Sequence, residues 1–325
     1  MGDTPLRIDL HVHSRFSKRP SQWILQKIGC PESFTDPALI YETAKKRGMD
    51  LVTISDHNTI DGALEIAHHD DTFISEEITT YFPDDGCKLH VLAWDITEAQ
   101  HAEFQKLREN VFDLVPYLHE QNITHALAHP LFAVNDRLTL EHFEQALLLF
   151  DVLEANGSRD ARQNESLQAV VNGLGPRLME RLADIHGIEP VSKTPWQKVI
   201  VGGSDDHSSI NIARMHTRFN GKACVNGLKQ AIADGTCAPA GEAATPRTMA
   251  HNLYGIATSS TCAGPTSRTP RGSTLSCASG KRFSTLRAPR TRAASSTASA
   301  ASWAGARPRC TPFPPRTTTP CATRF

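Results

Sequence analysis

Apolar and polar positions follow two different periods along the first 256 residues. Short apolar runs cover residues 7–13, 51–57, 73–81, 89–95, 124–129, 151–155 and 199–203. Between most of them lie stretches with the spacing of an amphipathic helix, at 37–47, 60–68, 98–120, 139–148 and 160–186. Strand-like runs that alternate with helices predict parallel strands joined by crossover helices, an α/β fold. Seven runs fit a barrel better than an open sheet, although periodicity leaves closure open.

Past residue 256 the pattern stops. Residues 257–325 are rich in Ser, Thr, Ala, Arg, Pro, Gly and Cys, contain no Val or Ile, and offer only Leu275 and Leu286 as large aliphatics. Such a segment cannot bury enough apolar surface to offset the entropy of ordering its backbone, so it is expected to be disordered. The expected organisation is therefore a catalytic-type domain over 1–256 and a low-complexity basic tail over 257–325. Charge divides the chain in nearly the same place. The formal net charge is −1, yet residues 243–325 hold eleven Arg, one Lys and no acidic residue, a net of +12, so the first 242 residues carry −13. The tail reads either as a basic arm for anionic partners or as out-of-frame translation of a GC-rich gene. Cys262, Cys277, Cys310, Cys321 and Trp303 favour the second reading, because a solvated arm does not need them.

The longest apolar stretches fall far short of the ~20 residues that cross a bilayer, so no membrane span is expected. The amino terminus enters a strand-like run without a signal-peptide pattern, and the eight Cys are scattered. Both point to a cytoplasmic protein with reduced thiols. Oligomeric state has no signature in the sequence.

The chemistry lies in what ends the runs: Asp9-Leu10-His11-Val12-His13, Ser55-Asp56-His57, Glu76-Glu77, Lys88-Leu89-His90, Ala128-His129-Pro130, Glu154-Ala155-Asn156 and Ser204-Asp205-Asp206-His207. In a parallel α/β barrel the carboxyl ends of the strands converge on one face, where active sites are built. His11 and His13 are two apart on one run, so both imidazoles point the same way. That geometry chelates Zn, Mn or Fe, which accept imidazole nitrogen beside carboxylate oxygen. Each motif alone is weak, since H-x-H pairs and Asp-His turns are also common on surfaces. Together they place many ionisable groups at one end, which costs several kcal/mol each unless they are paired or metal-bound. Glu154 and Asn156 point to the same face as supporting or substrate contacts. Asp9 and Asp56 are expected to orient the histidines. Protonation of His11, His13 or His57 should release metal, so activity is expected to fall below about pH 6. The remaining histidines, His216 among them, read as solvated or packed.

These motifs, in this order, resemble the PHP family, named for polymerase and histidinol phosphatase. The resemblance spans about residues 7–256 and includes Ser75-Glu76-Glu77-Ile78-Thr79 and Leu89-His90-Val91-Leu92 as supporting segments. It implies a distorted seven-stranded (βα)7 TIM-like barrel and a centre of two or three divalent ions (Mn2+, Zn2+ or Fe2+). It also implies roles: His11, His13, Glu77 and Asp205 on one metal, Glu77 shared with a second that His90 and His129 complete, and His57 and His207 on a third. The sequence departs from the family where an Asp or His usually follows motif one, because Lys18 and Arg19 stand there. A cation beside a dication is repelled, which counts against full occupancy of the third position. The same loop, with Arg15, Lys18 and Arg19, can alternatively grip a substrate phosphate. Residues 19–35 resemble PHP modules that precede glycosyltransferase domains.

The expected function is metal-dependent hydrolysis of a phosphate ester on a small molecule, with Asp56, Arg15, Lys18 and Arg19 as candidate catalytic groups. The alternative is an accessory, non-catalytic PHP module of a larger polypeptide. Amidohydrolases also begin with H-x-H but lack the Asp-His after the second run. A nucleic-acid substrate is disfavoured by the −13 charge of the front region.

Overall fold

The computed structural model describes residues 4–18 and 32–262. Its strands form two sheets. The larger runs in the order β2 (Ser75–Tyr81), β3 (Lys88–Trp94), β4 (Thr124–Leu127), β5 (Val152–Asn156) and β6 (Val199–Gly203). The smaller is β1 (Leu6–Ile8), β7 (Met215–Phe219) and β8 (Cys237–Gly241). Nine helices are present among the described residues: α1 (Pro37–Lys46), α2 (Asp61–Ile66), α3 (Glu98–Leu107), α4 (Val111–Glu120), α5 (Leu140–Leu149), α6 (Ala161–Gly173), α7 (Pro176–His186), α8 (Val225–Ala233) and α9 (Pro246–Cys262). The α/β class follows the sequence, but the sheet is mixed rather than all parallel. Only β4, β5 and β6 run parallel, while β2–β3, β3–β4 and the whole small sheet are antiparallel. The physical reason is the length of the β2–β3 connection. A parallel crossover needs a dozen or more residues, and only a short turn separates Tyr81 from Lys88, so a hairpin forms.

No closed barrel of strands forms among the described residues. The runs at 9–13 and 51–57 lie between β6 and β2 but make isolated bridges: Val12 with Asp206, His57 with Glu77, and Val52 with Thr72. A few backbone bonds continue the order, among them Asp205 N to His11 O (2.6 Å), Ser55 N to Val12 O (2.9 Å) and Glu77 N to Asp56 O (3.1 Å). Side chains capture several other donors. The amides of His11, Val12, Ser14 and His57 donate to Asp9, Ser55, Asp56 and Ser17 respectively. Local polar side chains thus compete with the ladder.

Two helices expected as single stretches are broken by caps. Asn110 accepts from Phe112 N and starts α4, which splits 98–120. Pro176 at the first turn of α7 splits 160–186, because the residue before a proline avoids helical geometry. The small sheet's β7 and β8 were not expected. β7 is short and half polar, and β8 carries Pro239, which an edge strand tolerates. Helix α9 runs to Cys262. The rest of the expected basic tail, 263–325, and Arg19 lie outside the described residues.

The main core packs Phe104, Leu114 and Leu118 of α3 and α4, and Leu147 and Leu148 of α5, against Ile78, Val91 and Leu127 of the sheet. A second cluster joins Ile8, Leu10, Trp94, Val201 and Phe219, and so clamps the first run between the two sheets. Trp94 is buried yet satisfied, since its indole N–H donates to Leu10 O at 3.1 Å.

Candidate metal centre

Glu77, on the third position of β2, is the hub of the site. Its side chain is fully buried, and five imidazoles face its two oxygens. Nε2 of His11 and of His13 each lie 3.2 Å from Oε2, and His57 Nδ1 lies 2.9 Å from it. His90 Nδ1 (2.9 Å) and His129 Nε2 (3.1 Å) face Oε1. Asp205 Oδ1 sits 3.5–3.6 Å from nitrogens of His11, His13 and His207. Three groups of donor atoms lie close enough to share an ion: His11–His13–Asp205, His57–Glu77–His90 and His13–His57–His207. All eight side chains that the sequence singled out as metal ligands therefore converge. They do so from runs at 9–13 and 51–57, from β2 and β3, and from the turns after β4 and β6. His90 comes from a strand that runs against its neighbours, so it reaches the centre from its strand's amino-terminal half.

Strand β6 can approach run one closely only because Gly203 lacks a side chain. A Cβ there would meet His11 Cβ at 2.3 Å and Glu154 Oε1 at 2.6 Å. His129 and Asp205 both have positive φ, at 30° and 51°. Such backbone is uncommon outside glycine and collects at functional sites.

A shell of polar side chains fixes the rings. Glu154 Oε1 accepts from His11 Nδ1 at 2.8 Å, which leaves Nε2 turned to the centre. Glu154 Oε2 accepts from His129 N and Asn156 Nδ2, both at 2.9 Å. Ser17 Oγ donates to Asp56 Oδ1 (2.7 Å) and lies 3.0 Å from His13 Nδ1. Asp56 also accepts from Ser14 N and Ser14 Oγ, so it acts on the centre through Ser17 and not by contact. Asp9 does not orient an imidazole. It accepts instead from the backbone of His11, Ser204 and Ala213, and burial pushes its carboxyl up to about 6.

Besides Ser17, two groups at the site were not read from the sequence. Glu32 is buried, with Oε2 3.3 Å from His57 Nε2 and Oε1 3.8 Å from His207 Nε2. It brings an acidic group to the two histidines near which Lys18 and Arg19 had been expected. Its distance from His13 in sequence gave no spacing signal. Arg159, after β5, stacks 3.5 Å over Phe132 and reaches Asp205 Oδ2 at 3.4 Å, where Asn156 also donates. Of the expected cationic groups, Lys18 is exposed, and Arg15 is held by Asp36 and Glu65 at the surface. Gripping a phosphate would require Arg15 to leave both carboxylates.

The electrostatics are those of a site built around positive charge. Burial disfavours protonation of His11, yet Glu154, Glu77 and Asp205 outweigh it and hold the ring well above its usual range. His13 is treated likewise, with Asp205 and Glu77 raising it to about 10 against burial. Burial dominates at His90 and His207, and both fall to about 4. Glu77 and Asp205 resist the upward push of burial and stay well below the carboxylate range because of the surrounding imidazoles.

No family model matches the chain. Over 60 residues it is 40% identical to an uncharacterized protein of Methanocaldococcus jannaschii, a stretch that is 18% of this chain and 33% of that protein. The match thus spans a third of that relative's length. Among solved structures, PsfC from Pseudomonas syringae is similar with a TM-score of 0.47 and 14% identity, over 80% of this chain and 100% of that one. The lesion-specific endonuclease PfuEndoQ from Pyrococcus furiosus is similar with a TM-score of 0.43 and 19% identity, over 70% of this chain and 56% of that one.

Proposed function

We propose that the chain is a metal-dependent phosphoesterase that hydrolyses a phosphate ester of a small molecule, with two or three divalent ions as cofactors. The observation that carries this reading is the hub of five imidazoles on the fully buried Glu77 carboxylate. Left as bare charges, such groups cost several kcal/mol each to bury, and shared cations remove that cost. The donor atoms fit cations. His57 Nδ1, His90 Nδ1, His207 Nε2 and Glu77 Oε2 are buried and, close as several of them lie to one another, none makes a well-aimed hydrogen bond. Imidazole mixed with carboxylate suits Zn, Mn or Fe.

His11, His13, Glu77 and Asp205 would hold one ion. Glu77 would share a second with His90 and His129. His57 and His207 would hold a third, with Glu32 supplying the acidic group that Lys18 and Arg19 do not. Cations bound there supply Lewis-acid polarisation of phosphate oxygens and an activated water near neutral pH. The chain's own residues do the rest. Glu154 and the Asp56–Ser17 pair keep Nδ1 of His11 and His13 occupied, so that Nε2 of each is presented to the centre. Asn156 and Arg159 hold Asp205. Motif order resembling the PHP family supports phosphoester over amide chemistry, and the −13 front region supports a small substrate over a nucleic acid.

The test is hydrolysis of p-nitrophenyl phosphate and bis(p-nitrophenyl) phosphate by the full chain with Mn2+, against Glu77→Gln. Turnover of the monoester that disappears in Glu77→Gln while the far-UV spectrum is kept is the expected result. Metal bound with no hydrolysis of any phosphoester would overturn it and favour an accessory module. Preference for the diester would point to a nuclease.

A further inference from the structure

Away from the metal centre, the small sheet carries a second group of charges that no carboxylate among the described residues pairs with. Arg7 of β1 stands directly opposite Arg218 of β7 in an antiparallel pair. His216, two residues before Arg218, lies on the same face, and all three line one cavity of about 360 Å³ with Thr4, Ala240 and Gly241. Like charges directly opposite on neighbouring strands repel and weaken the pairing. The fold answers such charges elsewhere: Arg214, just before β7, is paired with Glu242 at 2.7 Å. Among the described residues no carboxylate forms an ion pair with Arg7 or Arg218. The nearby Asp50 carboxylate accepts from the Arg7 backbone amide at 2.7 Å.

The third strand leaves room at this place. The β8 residues opposite Arg218 and His216 are Ala238 and Ala240, the smallest side chains that still keep the strand. The opposite face of β7 is fully used: Met215, Thr217 and Phe219 are buried, and Thr217 Oγ1 accepts from Gly202 N at 2.8 Å. The outward face thus has Arg218 and His216 over small neighbours and Arg7 beside them, its guanidinium next to Gly48, with space for a group of a few heavy atoms.

We infer that Arg7, Arg218 and His216 form a binding site for a small phosphate-bearing anion, separate from the metal centre. Two guanidinium groups can each give paired N–H donors to a phosphate, and its charge replaces their repulsion with two attractions. Burial and the two arginines hold His216 below its ordinary proton affinity, so the ring is a neutral partner in the free site and gains proton affinity when an anion arrives.

The experiment follows the His216 ring by nitrogen-correlated NMR while inorganic phosphate is added to the metal-loaded full chain, with the signal assigned through His216→Gln. A saturable shift of His216 is expected. Arg7→Gln and Arg218→Gln should each weaken it by at least about tenfold, because each removes a charge-assisted contact. Both positions are on the outer face, and Arg218→Thr offers a second replacement suited to a strand. In phosphate-free buffer Arg218→Thr should also raise the melting temperature, since it removes the like-charge pair. Phosphate that perturbs only the histidines of the metal centre would overturn the inference. A His216 shift that survives both arginine substitutions would do so too.

Discussion

At the scale of single residues, the converging set of histidines and carboxylates was legible because its members recur at specific spacings at the ends of the runs. His11 and His13 had to share a face, and His57, His129 and His207 each ended a run. Glu32 and Arg159 were not legible, since a loop delivers the first and an aromatic stack the second, and neither leaves a period in the sequence. Glu154 shows how such positions can be tested. Its two oxygens serve His11, His129 and Asn156. Glu154→Gln keeps the shape but cannot accept at both atoms, so metal affinity should fall about ten- to a hundredfold with the fold retained. Metal titration beside circular dichroism checks this. His125 gives a prediction outside the site. Burial, only partly opposed by the Nδ1 bond to Ile123 O, lowers its pKa to about 4. The unfolded chain then binds the extra proton between about pH 6.5 and pH 4, so the folded state is full-strength above 6.5 and loses stability as pH falls. By pH 5 the loss is about 2 kcal/mol. Urea melts at pH 7 and pH 5 should differ by less in His125→Phe.

At the scale of elements, seven of the nine described helices and strands β1 to β6 followed from periodicity, whereas α8, α9 and strand direction did not. Direction is set by connection length, and the short link after Tyr81 forces the hairpin that turns His90 around. The runs at 7–13 and 51–57 read as strands, but only the start of the first forms a ladder, and from Asp9 onward Asp9, Ser17, Ser55 and Asp56 take several of their amides. Close approach of elements is equally invisible to hydropathy. Gly203 is the sharpest instance, and Gly203→Ala should push β6 away from run one. The expected outcome is a loss of about 1–3 kcal/mol in stability together with reduced metal stoichiometry. Thermal melts and metal analysis by mass spectrometry would measure the two effects independently.

At the scale of the whole molecule, proton and metal compete for one concentrated set of donors. In the metal-free chain His13 holds its proton up to about pH 10 and His11 is raised in the same direction. A raised histidine pKa stabilises the fold fully below 6.5, and that contribution is lost as pH rises through about 10. The chelated protein should therefore melt at lower temperature at pH 9 than at pH 7. Added Mn2+ or Zn2+ should restore more stability at the higher pH, where fewer protons must be displaced. Calorimetry with and without chelator at both pH values checks this. Equal metal-induced shifts at the two would contradict it. The net charge of −1 conceals this arrangement, because the +12 segment from 243 onward cancels a front region of −13 that sets Glu32, Glu77, Glu154 and Asp205 against clustered histidines.

The bond from the Trp94 indole to Leu10 O has a practical consequence. It joins a fluorescent indole to the backbone directly before His11. Metal that draws His11 into place should shift that backbone, so Trp94 emission is expected to follow metal loading in real time. Replacing Trp94 with Phe should silence this built-in optical signal.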